Sequence, residues 1–173
     1  ELVRARFLAA PVACGRAIVA PAILDDELWL VAVDPRTGRT VWTVFCCPEL
    51  TATDEHPLAI AVQGERVYLA TGRGLVFCFD GVAGRIEWAT RYNRSESRDP
   101  STLKAENAIG LCAGRLAVIA TDARGRLLTF DATTGRPLDE IDVGNARQWI
   151  GASDDRIYLA GKESLCCIAG DAN

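Results

Sequence analysis

Three stretches of this chain repeat one another: Ala32-Val33-Asp34-Pro35-Arg36-Thr37-Gly38 with Trp42, Phe79-Asp80-Gly81-Val82-Ala83-Gly84 with Trp88, and Phe130-Asp131-Ala132-Thr133-Thr134-Gly135. Each follows an apolar, strand-like run, and the aspartates fall at positions 34, 80 and 131. A period of roughly fifty residues marks a propeller or solenoid array, in which one unit cannot bury its apolar surface alone.

The segments between these turns are rich in Val, Ile, Leu and aromatic residues and are bounded by Gly, Asp, Asn and Pro, as strands are. Strands are expected over 8–14, 16–23, 27–34 and 40–45 in the first unit. The second unit offers 58–62, 66–71, 75–80 and 86–92, and the third 108–112, 115–121, 127–131 and 138–143. The fourth shows 149–152, 156–160 and 165–169 and lacks an outer strand. Leu75-Val76-Phe77-Cys78-Phe79 is apolar at every position, the mark of a strand covered on both faces. No long helical period with caps interrupts the pattern. The expected fold is therefore all-β, with blades of four-stranded antiparallel sheet. A single domain over 1–173 contains repeats at about 8–45, 58–92, 108–143 and 149–173.

The Asp-x-x-x-Gly element has a local reason. The carboxylate accepts backbone N–H groups a few residues on, and glycine supplies the positive φ that ends the turn. Asp34, Asp80 and Asp131 are accordingly read as turn closers rather than as acids or metal ligands, with Thr37 and Thr134 adding a hydroxyl. A Trp four residues beyond Gly38 and Gly84 falls on the outer strand, where an indole can bury ~150–250 Å² between neighbouring sheets.

With 173 residues, 49% of them apolar and 24% charged, the chain can build a real core. A net charge of −4 argues against a general nucleic-acid binder. No apolar run approaches the ~18 residues of a membrane span. The start lacks an initiator Met and a signal segment, and the end falls inside the fourth unit, so a piece of something longer is expected. The seven cysteines cannot all pair with one another, and with a single His and no C-x-x-C no structural zinc site is expected.

At these residues the chain resembles the pyrroloquinoline-quinone-like (PQQ-like) β-propeller repeat family. Residues 32–42 fit the family's tryptophan-docking pattern, Ala-x-Asp-x-x-Thr-Gly-x-x-x-Trp, at every specified position. The second unit substitutes Cys78 and Ala83 but keeps Asp80, Gly84 and Trp88. The third keeps Asp131, Thr134 and Gly135, with Asp139 in place of Trp, and in the fourth Ala169 stands where Asp would be. The resemblance implies a propeller and the extracytoplasmic side (periplasmic or extracellular) of a bacterial envelope. It also implies two kinds of member, quinone dehydrogenases holding PQQ and Ca²⁺ on the axis and proteins that bind no quinone. The dehydrogenase Ca²⁺ ligands and catalytic Asp cannot be matched to positions here, so no catalytic, cofactor or metal residue is assigned.

Two architectures remain open. Residues 2–6 could supply the missing outer strand of the fourth unit and close a four-bladed ring, or they could belong to a preceding blade of an open arc, which is favoured. Candidate contact residues lie on loops. Arg73, Arg124 and Lys162 occupy matching second-to-third-strand turns, and His56 sits in the connection between the first two units. Cys46-Cys47 follows an outer strand and is weighed as a vicinal disulfide of the kind quinone dehydrogenases carry. The leading expectation is a non-catalytic scaffold or binding module, without cofactor, for a protein partner or anionic ligand and for the remaining blades of a parent chain. The alternative is a fragment of a PQQ-dependent dehydrogenase.

Overall fold

The computed structural model describes residues 4–48, 58–93, 109–120, 125–153, 155–161 and 163–169. These residues form four antiparallel sheets and, among them, no helix. Sheet 1 comprises β1 (Arg6–Phe7), β2 (Val12–Cys14), β3 (Ala17–Leu24), β4 (Glu27–Val33) and β5 (Thr40–Cys47). Sheet 2 comprises β6 (Ala59–Gln63), β7 (Arg66–Ala70), β8 (Leu75–Asp80) and β9 (Arg85–Arg91). Sheet 3 comprises β10 (Ile109–Cys112), β11 (Arg115–Ala120), β12 (Arg126–Asp131) and β13 (Pro137–Asp142). Sheet 4 has β14 (Ala146–Ser153), β15 (Arg156–Gly161) and β16 (Leu165–Ala169), with no fourth strand among the described residues. Strands 75–80 and 165–169 coincide with the sequence reading. Most others differ by a residue or two, and β14 begins earlier, at Ala146.

Sheet 1 is a four-stranded blade with a broken inner strand. Both β1 and β2 pair with the same edge of β3, but the register slips between Phe7↔Ala22 and Val12↔Val19. The break has a backbone cause. The Leu8 N–H donates to the Pro21 carbonyl at 3.1 Å, and Pro21, lacking an N–H, cannot return the second bond of that pair. The ladder therefore lets go after Leu8. The sequence allows residues 2–6 to be an outer strand of the fourth unit or part of a preceding blade. Residues 2 and 3 lie outside the described residues, and Arg6 pairs with Ile23 at the inner edge of sheet 1.

The core lies between sheets. Val19, Leu28, Leu30 and Ala32 of sheet 1 meet Val67, Leu69, Phe77 and Phe79 of sheet 2. The opposite face of sheet 2, with Tyr68, Ala70, Val76 and Cys78, shares a second core with sheets 3 and 4. This is why 75–79 is apolar at every position: alternate side chains enter different cores, and Val76, Cys78 and Phe79 are all fully buried.

An indole seals each of the first two junctions. Trp42 of sheet 1 donates its Nε1–H to the Gly81 carbonyl of sheet 2 at 3.1 Å. Trp88 of sheet 2 donates to the Ala132 carbonyl of sheet 3 at 3.3 Å, and Tyr68 Oη–H donates to the same oxygen at 3.1 Å. The indoles lie against the turn glycines: a Cβ on Gly84 would come within 2.5 Å of Trp42, and one on Gly135 within 2.5 Å of Trp88. The third junction is built differently, because Asp139 replaces the indole and pairs with Arg115 at 2.9 Å. Here Trp149 of β14 covers Gly110 of β10, where no Cβ could fit.

These glycines give a direct test. Gly84 combines φ +64° with the indole against it, whereas Gly38 has φ +68° and open space. Gly84→Ala should destabilise by about 2–4 kcal/mol, the sum of left-handed backbone strain and overpacking. Gly38→Ala should cost only the backbone part, roughly 1–2 kcal/mol. Urea denaturation of the two variants measures the difference.

Candidate functional site

Antiparallel connection sorts the loops onto two ends of the sheets. One end carries the first-to-second and third-to-fourth strand turns. The other carries the second-to-third strand turns and the connections between sheets.

The three Asp-Gly turns share one geometry. The N–H of Gly38, Gly84 and Gly135 donates to the carbonyl of Asp34, Asp80 and Asp131 at 2.8, 2.9 and 2.8 Å. Asp34 Oδ1 accepts from Arg36 N–H at 2.8 Å. Asp80 Oδ1 accepts from Ala83 at 2.9 Å and Val82 at 3.0 Å. Asp131 Oδ1 accepts from the Thr134 N–H at 2.8 Å, the Thr134 hydroxyl at 2.9 Å and the Thr133 N–H at 3.0 Å. Thr37 Oγ1 accepts from the Arg39 N–H at 3.3 Å. The bond from Ala83 holds the Asp80 carboxyl below the ordinary carboxylate range, and those from Thr134 do the same for Asp131. In each turn the Oδ1 atom closes the loop by accepting from its own backbone.

The axis is apolar. A cavity of about 610 Å³ is bounded by the inner strands of all four sheets: residues 9–12 of sheet 1, Leu58 to Ile60 of sheet 2, Ile109 of sheet 3, and Trp149 with Ile150 of sheet 4. Residues 9–11 reach it because the β3 ladder releases them after Leu8. A calcium ion takes 6–8 oxygen ligands, and among the described residues this lining offers no carboxylate, amide or hydroxyl side chain to supply them. Among the described residues, no group of three or more His, Cys, Asp or Glu is placed to hold a metal.

Arg73 lies on the other end of the sheets, in the β7–β8 turn between Gly72 and Gly74, both at positive φ, and its N–H donates to Thr71 Oγ1 at 3.2 Å. Its positive charge opposes the rise that burial imposes on the neighbouring Cys47 thiol. Arg124, Lys162 and His56 lie outside the described residues.

All seven cysteines are free thiols, including Cys46 and Cys47. Strand β5 carries an extra residue between Phe45, opposite Trp29, and Cys47, opposite Leu28. The bulge brings both thiols to the core shared with sheet 2. Burial pushes the Cys46 and Cys78 thiols up to about 12.

Three features escaped the sequence reading. Arg66 pairs with Glu87 at 2.7 Å, and Arg115 with Asp139 at 2.9 Å, each tying a second strand to its own outer strand. The recurrence of Arg at the start of β7, β11 and β15 was the available signal. Arg126 is nearly buried, reaching Glu140 at 2.9 Å and the Asn93 carbonyl at 2.9 Å, and so ties sheet 3 to the chain leaving sheet 2. A polar pocket of about 440 Å³ beside Arg66, Glu87 and Asp80 had no sequence signature.

The sequence profile of a family described as outer membrane protein assembly factor BamB matches residues 26–148. Among solved structures, BamB from Moraxella catarrhalis superimposes with a TM-score of 0.67 at 18% identity, over 97% of this chain and 47% of that one. A europium-containing methanol dehydrogenase gives 0.59 at 14% identity, over 82% of this chain and 27% of that one. The computationally designed Ika4 protein gives 0.66 at 14% identity, over 96% and 92%. At these identities the likeness is one of fold, an all-β propeller arrangement. The chain spans about half the length of the BamB structure, 47% of it. No curated protein matches the chain in sequence.

Two outcomes are expected from these environments. The depressed Asp80 and Asp131 carboxyls contribute stability that is present above the unfolded-state value, about 3.9, and is lost as pH falls through their lower folded values. In Asp80→Asn/Asp131→Asn, the fall in melting temperature between about pH 5 and pH 2 should be shallower than in the parent. Alkylation by iodoacetamide at neutral pH, followed by mass mapping, should mark exposed Cys167 first and leave Cys46 and Cys78 unmodified in the folded protein.

Proposed function

This chain belongs to the family described as outer membrane protein assembly factor BamB, and on that premise we propose that it is a non-catalytic β-propeller scaffold, a binding module of a larger bacterial envelope protein. The observation that carries the reading is the axis. Where a propeller enzyme needs polar ligands, this cavity presents Val12, Ile60, Ile109 and Ile150, a surface suited to apolar side chains of a protein partner. The Asp34, Asp80 and Asp131 carboxylates accept hydrogen bonds from the backbone of their own turns.

In this reading the partner approaches the end of the sheets that carries the connecting loops. The cationic positions Arg73, Arg124 and Lys162, with His56, favour an acidic protein surface or another anionic ligand. The protein works in the periplasm or on the outer side of the envelope and needs no cofactor. Among the described residues, no helix is long and apolar enough to cross a membrane.

The decisive experiment titrates the purified chain with PQQ and CaCl₂ and follows the quinone spectrum and dye-linked alcohol oxidation. No saturable spectral change and no turnover are expected. Saturable quinone binding with turnover would overturn the scaffold reading in favour of a dehydrogenase fragment.

A further inference from the structure

A buried thiol closes the first and third sheet junctions, and the second lacks one. Cys14 ends the inner strand of sheet 1 and donates Sγ–H to the Gly64 carbonyl of sheet 2 at 3.9 Å. Cys112 ends the inner strand of sheet 3 and donates to the Arg156 carbonyl of sheet 4 at 3.6 Å. In their hairpins Cys14 lies opposite Ala17 and Cys112 opposite Arg115, and the same place in sheet 2 holds Gln63, opposite Arg66. Gln63 is exposed, and its amide meets no partner among the described residues. The facing turn differs to match. Gly81 and Ala132 hold equivalent places, their N–H groups bonding the Glu65 and Gly114 carbonyls at 2.7 and 3.0 Å. A Cβ on Gly81 would collide with Cys14 Sγ, whereas Ala132 puts a methyl group where a thiol from Gln63's position would have to lie.

At this unsealed junction lies the polar cavity of about 440 Å³, within the range of small-molecule sites. Its inner limit is the buried Tyr68, whose Oη–H donates to the Ala132 carbonyl of sheet 3. The charges on its wall are mostly paired within the protein: Arg66 Nε donates to Glu87 Oε2 at 2.7 Å, and Arg85 meets Asp80 Oδ2 at 3.3 Å. Hydrogen-bonding atoms are left over. The terminal nitrogens of Arg66, Glu87 Oε1 and the Glu65 carboxylate meet no partner among the described residues. Guanidinium, carboxylate and amide thus share one wall, with donors beside acceptors. An anion there would face Glu65 and a cation would face the Arg66 guanidinium. A hydroxyl group, which both donates and accepts, satisfies both kinds of atom without bringing charge.

We propose that the pocket of Gln63, Glu65, Arg66 and Glu87, at the junction of sheets 2 and 3, is a carbohydrate site that takes a neutral saccharide through its neighbouring hydroxyl groups. Gln63 and Arg66 donate to hydroxyl oxygens, and Glu65 and Glu87 Oε1 accept hydroxyl hydrogens. The site lies off the axis, at the opposite end of the sheets from Arg73. It does not depend on the scaffold reading, since a dehydrogenase fragment would present the same pocket.

The probes are maltotriose, cellotriose and triacetylchitotriose, each titrated at millimolar concentration into ¹⁵N-labelled protein. At least one should shift the amides of 63–68, 80 and 87 saturably. Gln63→Ala and Glu65→Ala should each weaken that binding about tenfold. Both side chains are exposed and without a partner among the described residues, so the variants keep the fold. Gln148→Ala, which removes an exposed amide from β14, should leave binding unchanged. Added NaCl should also leave it unchanged, because screening acts on charged ligands. The per-O-methylated form of the sugar, which keeps the rings and loses every hydroxyl donor, should not bind. Saturable shifts that require Gln63, Glu65 and the sugar's hydroxyls establish the site. Absence of shifts with all three sugars, undiminished binding to the two variants or equal binding of the methylated sugar each overturn it. So does saturable, salt-sensitive binding of methylammonium chloride in place of the sugars, which would make the pocket a cation site.

Discussion

The structure depends on how a flat aromatic ring meets a residue without a side chain. An indole laid on Gly84 or Gly135 brings an outer strand against the next sheet's turn, and the N–H bond to the adjacent carbonyl fixes the distance and angle. The glycine is required twice, by its left-handed backbone and by the ring above it. Its turn is in turn held closed by the aspartate, so Asp, Gly and Trp form one device spread over two sheets. Once two sheets are set in this way, the apolar side chains between them have a fixed gap to fill.

That device explains what the composition alone could not. A strand that is apolar at every position reads equally well as part of a buried helix or a parallel sheet. Here Val76 and Cys78 enter one core while Phe77 and Phe79 enter the other, because sheet 2 has a neighbour on each face. Where the device is missing, the junction changes character. Asp139 turns back to Arg115 within its own sheet, and the contact with sheet 4 moves inward to Trp149 on Gly110.

Repeats, strands and turn roles were legible in the sequence because each depends on residues close together in the chain. Asp131 and Thr134 are three positions apart, and their hydrogen bonds are local chemistry. The features that were missed depend on residues far apart. Arg126 bonding to Asn93, Trp149 covering Gly110 and residues 9–11 lining the axis all require knowing which sheet neighbours which. The break in the inner strand of sheet 1 lies between these cases. Pro21 was visible in the sequence, but its effect depends on which strand lies on the side where its N–H would have been.

The Ala132 carbonyl accepts from both Tyr68 and Trp88, so one oxygen joins the second strand and the outer strand of sheet 2 to sheet 3. Sheets 2 and 3 each have a neighbour on both faces, whereas among the described residues sheets 1 and 4 are each packed on one. Cooperativity in such a stack is set by nearest neighbours. Opening is therefore easiest from either end and hardest at the Ala132 junction, so slow amide exchange should centre on β8 and β11 and decay outward in both directions.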